Sequence, residues 1–131
     1  MDDPIWISKE LALAIHSRQL AEHGGSDGVR DAGLLESALA RPRNRFAYED
    51  PTPDIPALSA SYAFGIARNH SLIDGNNRTA YVVCRTFLIL NGWDMTVDRV
   101  ERYRTFLALA AGAMTEAELA AWLTEHTRRA E

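Results

Sequence analysis

His-Ser-Leu-Ile-Asp-Gly-Asn-Asn-Arg-Thr-Ala-Tyr-Val-Val-Cys-Arg-Thr-Phe-Leu-Ile-Leu-Asn-Gly, residues 70–92, joins a polar loop to the least polar helix that the sequence predicts. Residues 76–91 are apolar on almost all sides, which is typical of a helix at the centre of a bundle. Gly92 fits the position just after the end of that helix. The stretch therefore predicts a helical domain built around residues 76–91, with a loop of unusual composition at residues 70–78.

The segments on either side of this stretch also have helical periodicity. Ser8, Asp31 and Thr115 are candidate N-caps, and Thr115 begins a capping box. Pro56 suits the first turn of a helix. The sequence predicts helices over residues 7–22, 31–40, 56–69, 76–91, 98–111 and 115–126. We therefore expect an all-α fold, a compact bundle of about six helices.

Residues 41–55 differ in composition from the predicted helices. Pro42, Pro51 and Pro53 are expected to interrupt a helix, and Phe46 and Tyr48 could share one face of a short strand. We expect an irregular insert here, with a small hairpin as one possibility.

The composition limits the classes of protein to consider. The chain has 131 residues, which suits one domain over residues 1–131. The net charge of -4 does not favour direct binding to nucleic acid or to an anionic membrane. One cysteine, Cys84, allows no internal disulfide, and no signal peptide or membrane span is expected. These features predict a cytoplasmic protein.

The loop at residues 70–78 combines side chains that phosphoryl or nucleotidyl transfer requires. An imidazole such as that of His70 can take a proton from a hydroxyl near neutral pH. Asp74 can bind Mg²⁺, which uses few carboxylates besides water and substrate phosphate. Arg78 can bind two phosphate oxygens. Gly75 permits a sharp turn, so backbone amides there and at the start of the next helix can bind an anion.

Each of these residues also has a purely structural interpretation. Asp-Gly-Asn is a common turn, a histidine at a helix end is often a cap, and Asn76 or Asn77 could cap the next helix. A calcium loop of the EF-hand type is excluded, because Tyr81 stands where a bidentate glutamate is needed. Of the other polar candidates, His16, His23 and His126 have no partner at metal-ligand spacing and are expected to be exposed. Cys84 is expected in the core.

The loop resembles the signature of the Fic/Doc family. The Fic form is His-Pro-Phe-x-(Asp/Glu)-Gly-Asn-Gly-Arg, and the form in the Doc (death on curing) toxins is His-x-Phe-x-(Asp/Asn)-Ala-Asn-Lys-Arg followed by Thr-Ala. Here Arg78 is also followed by Thr79-Ala80. Residues 30–38 and 91–93 are similar to Doc patterns as well, so the resemblance extends over most of the chain.

The resemblance implies a function and a role for each residue of the loop. It implies that His70 is the general base, that Asp74 binds Mg²⁺ and that Arg78 binds phosphate of ATP. Gly75, Asn76 and Asn77 would complete the anion site, and residues 41–55 would form a flap that positions the target. Doc toxins are kinases that transfer the γ-phosphate to a threonine of elongation factor Tu and halt translation, whereas Fic relatives transfer AMP.

Two positions bear on which group is transferred. Tyr81 stands where adenylylating Fic proteins have a second arginine, which favours phosphate transfer. Asn77 replaces both the Fic glycine and the Doc lysine, so AMP transfer stays an alternative. A third alternative is a catalytically inactive binding module that uses Arg41, Arg43 and Arg45.

The resemblance also implies control by a partner. Self-inhibited Fic proteins contain a (Ser/Thr)-x-x-x-Glu-(Gly/Asn) motif, and no glutamate of this chain is followed by glycine or asparagine. We therefore expect a type II toxin–antitoxin system in which a separate cognate antitoxin inhibits this chain.

Overall fold

The computed structural model describes residues 3–130, and helices dominate it, so the predicted all-α fold is confirmed. The bundle has a small antiparallel sheet attached, in which Trp93 pairs with Arg129 and Met95 with Thr127. The elements within residues 3–130 are α1 (Lys9–His23), α2 (Ala32–Tyr48), α3 (Ile55–Asn69), α4 (Asn76–Leu90), β1 (Trp93–Met95), α5 (Arg99–Ala110), α6 (Glu116–His126) and β2 (Thr127–Arg129).

The helix boundaries follow from capping residues. Side chains of Ser8, Asp31, Asp54, Asp98 and Thr115 each accept a hydrogen bond from a backbone N–H in the first turn of the helix that follows. The capping box predicted at Thr115 is present. Such caps satisfy amides that have no partner within the helix, and they account for the agreement with the predicted starts of α1, α2 and α6.

The central helix is α3, and the prediction that residues 76–91 occupy the centre was wrong. Ten of the fifteen α3 residues are buried, and α3 packs against α2, α4 and α6. In contrast, Ile89 and Leu90 at the end of α4 are exposed. Small residues explain the central position of α3: a Cβ added to Gly65 would lie 3.1 Å from Ala38 Cβ, so the helices approach closely. The helix itself was predicted at residues 56–69, but its central position was not, because its buried face includes polar residues such as Ser59 and Ser61.

The irregular insert predicted at residues 41–55 is largely helical. Helix α2 continues through Pro42 to Tyr48, and only residues 49–54 lie outside a helix. A proline inside a helix removes one hydrogen bond, so tertiary contacts must offset that cost. Pro42 is itself buried, and Arg45 on the following turn bonds to α3 and α6. These contacts hold α2 together beyond the proline. None of the helices within residues 3–130 is long and apolar enough to cross a membrane.

Candidate active site

His70 ends α3, as predicted, and stands in a strained conformation. Its φ of 51° and ψ of 42° lie in the left-handed region, where it is the one non-glycine residue with positive φ within residues 3–130. Such a conformation costs free energy in a residue with a Cβ and persists only where surrounding contacts impose it. His70 is exposed, so its imidazole faces solvent at the start of the loop.

Asn76 closes the loop between α3 and α4. Its side-chain oxygen accepts from the Leu72 N–H at 3.1 Å, and its side-chain nitrogen donates to the Leu72 carbonyl at 2.9 Å. Leu72 is buried and anchors the loop in the molecule. The Asn76 side chain therefore shapes the loop, and only its backbone N–H remains for the anion-binding role that sequence reasoning gave it.

Asp74 is exposed, and two backbone amides orient its carboxylate. Oδ1 accepts from the Gly75 N–H at 2.8 Å, and Oδ2 accepts from the Ser26 N–H at 3.3 Å. Each carboxylate oxygen has a further lone pair, so the group can still bind a cation. Residues 3–130 contain no cluster of three or more metal-ligating side chains. A single oriented carboxylate fits Mg²⁺ that takes its other ligands from water and phosphate, but not a metal held by the protein alone.

The start of α4 differs from the other helix starts described within residues 3–130. Its N-cap is Gly75, with φ of 74°, and no side chain caps it, whereas each of the other five helices has a side-chain cap. The N–H groups of the first α4 turn are left for an external acceptor, and the helix dipole adds positive potential there. This arrangement favours an anion at the end of the loop.

Arg78 adds a full positive charge to this end of α4. Its Nη2 donates to the Gly24 carbonyl at 3.1 Å, and its buried Nε has no hydrogen-bond partner among the described residues. No carboxylate within residues 3–130 forms a salt bridge with it. The buried Oδ1 of Asn77 also lacks a partner in that range. The guanidinium charge is thus available to a phosphate.

A glycine-containing segment, residues 24–31, lies antiparallel to the loop, and the sequence indicated no role at the site for it, although Asp31 was predicted to cap α2. Val29 and Leu72 form an antiparallel bridge, and the Ile73 N–H donates to the Gly28 carbonyl at 3.1 Å. A Cβ added to Gly25 would lie 2.9 Å from Asp74 Oδ2, so glycine permits this close approach. The cluster Gly24, Gly25 and Gly28 was visible in the sequence, but it indicated only a loop.

His16 was predicted to be exposed, and that prediction was wrong. It is 2% exposed, and its Nε2 lies 2.8 Å from the carbonyl oxygen of Asp74. Because a carbonyl only accepts, Nε2 must donate the proton of this bond. The helical spacing of Ala12, Ile15, His16 and Gln19, which form the buried face of α1, could have placed His16 inside. The remaining histidines are closer to expectation, since His23 is exposed and His126 half-buried.

Cys84 lies in the core, as predicted. Burial raises the pKa of its thiol well above the ordinary value, so it remains protonated and is not a nucleophile.

Comparison with known proteins agrees with the motif. The Toxin Doc of Mycolicibacterium smegmatis is 44% identical over 82 residues, which are 60% of this chain and 63% of that protein. The Protein kinase doc of Escherichia phage P1 is 38% identical over 86 residues, 66% of this chain and 68% of that protein. The matched part thus spans about two thirds of each relative. The model of the Fic/DOC family matches residues 6–88, which include the loop and the segment that lies along it, and the chain belongs to the Fic/DOC family.

Proposed function

We propose that this chain is the toxin of a type II toxin–antitoxin system and transfers the γ-phosphate of ATP to a protein hydroxyl. The observation that carries the proposal is the uncapped start of α4, where Arg78 has no carboxylate partner among residues 3–130. This positive site adjoins an exposed histidine and an oriented carboxylate. The names of the two relatives, a toxin and a protein kinase, support the proposal of a toxin that transfers phosphate.

In the proposed reaction, the oxygen of the target hydroxyl attacks the γ-phosphorus. The bond from that phosphorus to the β–γ bridging oxygen breaks, and ADP leaves. His70 takes the hydroxyl proton, while Arg78 and the N–H groups of the first α4 turn bind phosphate oxygens. Asp74 would hold Mg²⁺, which neutralises phosphate charge.

The proposed target is a threonine of elongation factor Tu, so that phosphorylation halts translation in the cytoplasm. We further propose that a cognate antitoxin protein inhibits the chain, and that neither nucleic acid nor membrane is a direct partner. The target and the antitoxin are proposed from the family resemblance of the loop, whereas the exclusion of nucleic acid and membrane rests on the net charge of -4.

The alternative reaction is AMP transfer, and Asn77 is the residue on which it depends. Its side chain is longer than the Fic glycine and lacks the charge of the Doc lysine. An inactive binding module is less favoured, because Arg41 and Arg45, two of the three arginines that it would use, are already paired with Glu116.

The test is incubation of the purified chain and Mg²⁺ with elongation factor Tu and ATP labelled at either the α or the γ position. Label reaching the protein target only from the γ position supports the proposal. Label from the α position overturns it in favour of AMP transfer. Asn77→Lys should keep or raise γ-transfer because it adds a cation, and Asn77→Gly should lower it and could expose AMP transfer.

A further inference from the structure

Three successive carbonyl groups, that of Asn69 at the end of α3 and those of His70 and Ser71 just after it, need partners outside the helix. All three accept hydrogen bonds from residues 30 and 31. Arg30 Nε donates to the His70 carbonyl at 2.7 Å, and Arg30 Nη2 donates to the Asn69 carbonyl at 3.3 Å. The backbone N–H groups of Arg30 and Asp31 donate to the Ser71 carbonyl at 2.8 and 3.0 Å. The carbonyl of the strained His70 and the carbonyls of its two neighbours, Asn69 and Ser71, therefore all accept hydrogen bonds from this segment.

Arg30 is suited to this position by charge and by shape. The C-terminal end of a helix has negative potential, which a cation stabilises. The guanidinium is a planar fork, so it can reach two carbonyls at once, whereas a lysine ammonium offers no such geometry. Arg30 forms no salt bridge with a carboxylate of residues 3–130, so its charge is directed to the carbonyls alone.

The backbone of Arg30 is itself held in place by α2. Asp31 is the N-cap of that helix, and its Oδ1 accepts from the Leu34 N–H at 3.0 Å. Asn69 Nδ2 donates to the Leu34 carbonyl at 3.1 Å, which joins the end of α3 to the start of α2 a second time. Because α2 packs along α3, the guanidinium is presented from a rigid support.

We propose that Arg30 is a positioning residue. It fixes the backbone of Asn69 and His70 and so orients the imidazole of His70 to take the proton of the target hydroxyl. The proposal rests on the role of His70 as base in the proposed function. Misplacing a reacting group by about 1 Å can lower a rate by roughly 10²-fold. We therefore expect Arg30 to affect the rate of transfer more than the binding of ATP.

The test compares Arg30→Met, Arg30→Lys and a control, Arg18→Met. Arg18 is exposed on α1 and forms a salt bridge with Glu22 there. Arg30→Met should lower kcat by roughly 10–100-fold while KM for ATP changes less than about 2-fold. Arg30→Lys should recover part of the rate, because one amine can still reach the His70 carbonyl. Arg18→Met should leave both constants unchanged.

A second readout needs no transfer activity. The NMR signals of the His70 imidazole and of the backbone amides of residues 70–72 should shift or broaden in Arg30→Met and stay unchanged in Arg18→Met. Unaltered His70 signals, or a wild-type kcat in folded Arg30→Met, would overturn the proposal. If the wild-type chain transfers no phosphate, the proposed function fails, and the His70 signals still decide whether Arg30 positions this residue. If Arg30→Met does not fold, Arg30→Lys gives both readouts.

Discussion

Arg45 and Arg78 stand in opposite environments on the same small bundle. Arg45 donates to Glu49 at 2.8 Å and to Glu116 at 2.9 Å, and it also bonds to Ser61. Arg78 bonds only to the Gly24 carbonyl within the described residues, and its Nε has no partner there. Carboxylates neutralise the guanidinium of Arg45. The guanidinium of Arg78 has no carboxylate partner within the described residues, so its charge is available to an anion at the loop.

The difference separates a structural arginine from a candidate functional one. Hydrogen bonds to Glu49, and then the nearby charge of Glu116, raise the pKa of Arg45 despite its partial burial. The Arg45 cluster thus joins α2, α3 and α6. At the loop, no carboxylate within residues 3–130 pairs with Arg78, and the helix start beside it lacks a side-chain cap. Folding alone does not require such an arrangement, whereas anion binding does.

The largest expected effect is at His70. If the proposed function is correct, His70→Ala should lower phosphate transfer by about 10²–10⁴-fold, because the proposed base is lost. The melting temperature should not fall, since the side chain is exposed. The measurement is the rate of γ-label transfer, with His23→Ala as a control, because His23 is also exposed. Transfer at the wild-type rate by His70→Ala would show that another group accepts the proton.

Arg78→Met should lower kcat/KM for ATP by about 10²-fold, because it removes the charged donor from the proposed phosphate site. The free energy of unfolding should change little, since the single bond to the Gly24 carbonyl is the contact that folding loses. Titration with ATP and Mg²⁺, together with denaturant unfolding, measures both quantities. A large loss of stability with unchanged nucleotide binding would show that Arg78 has a structural role, as Arg45 has, and does not bind phosphate.

Much of this loop could be predicted from the sequence because its information is local. A glycine that permits a left-handed turn, the start of a helix and an arginine in the first turn of that helix are recognisable within nine residues, whereas the absence of a side-chain cap became visible only in the structure, since Asn76 or Asn77 was an open candidate. The prediction failed where distant contacts decide. Helix α2 continues past Pro42 because side chains of α3 and α6 bind the turn after it.

The contacts that support the loop were missed for the same reason. His16 bonds to the Asp74 carbonyl from 58 positions away in sequence, and Arg30 reaches the His70 carbonyl from 40 positions away. Both bonds are to backbone oxygens, so no complementary side chain elsewhere in the sequence indicates them. Periodicity could have shown that His16 is buried, but not what it contacts.

Arg45→Met should destabilise the chain by about 2 kcal/mol, roughly 30-fold in the unfolding equilibrium constant, because Glu116 loses one of its partners. Glu116 and Arg45 side chains are 14% and 20% exposed, so water compensates only in part. Arg43→Met on the same helix is the control, with less than about 1 kcal/mol expected from its contact with the Trp6 ring. Denaturant unfolding measures both. Equal losses in the two variants would show that the bonds of Arg45 to Glu49 and Glu116 add no more stability than the contact of Arg43 with the Trp6 ring.

The smallest effect concerns the exposed side of that cluster, at Glu49. The hydrogen bond from Arg45 holds the pKa of Glu49 below its ordinary value of 4.5 in the folded chain. A carboxylate whose pKa is lowered by folding contributes stability that is present above the unfolded pKa and is lost as the pH falls through the folded pKa. Wild type should therefore be slightly more stable than Glu49→Gln at about pH 7, and the difference should shrink below about pH 4.5 and then disappear.

Solvent screens the Arg45–Glu49 pair, so the difference in the free energy of unfolding is small and needs parallel unfolding curves at several pH values. A difference that stays constant down to acid pH would mean that Glu49 contributes through packing and not through its charge.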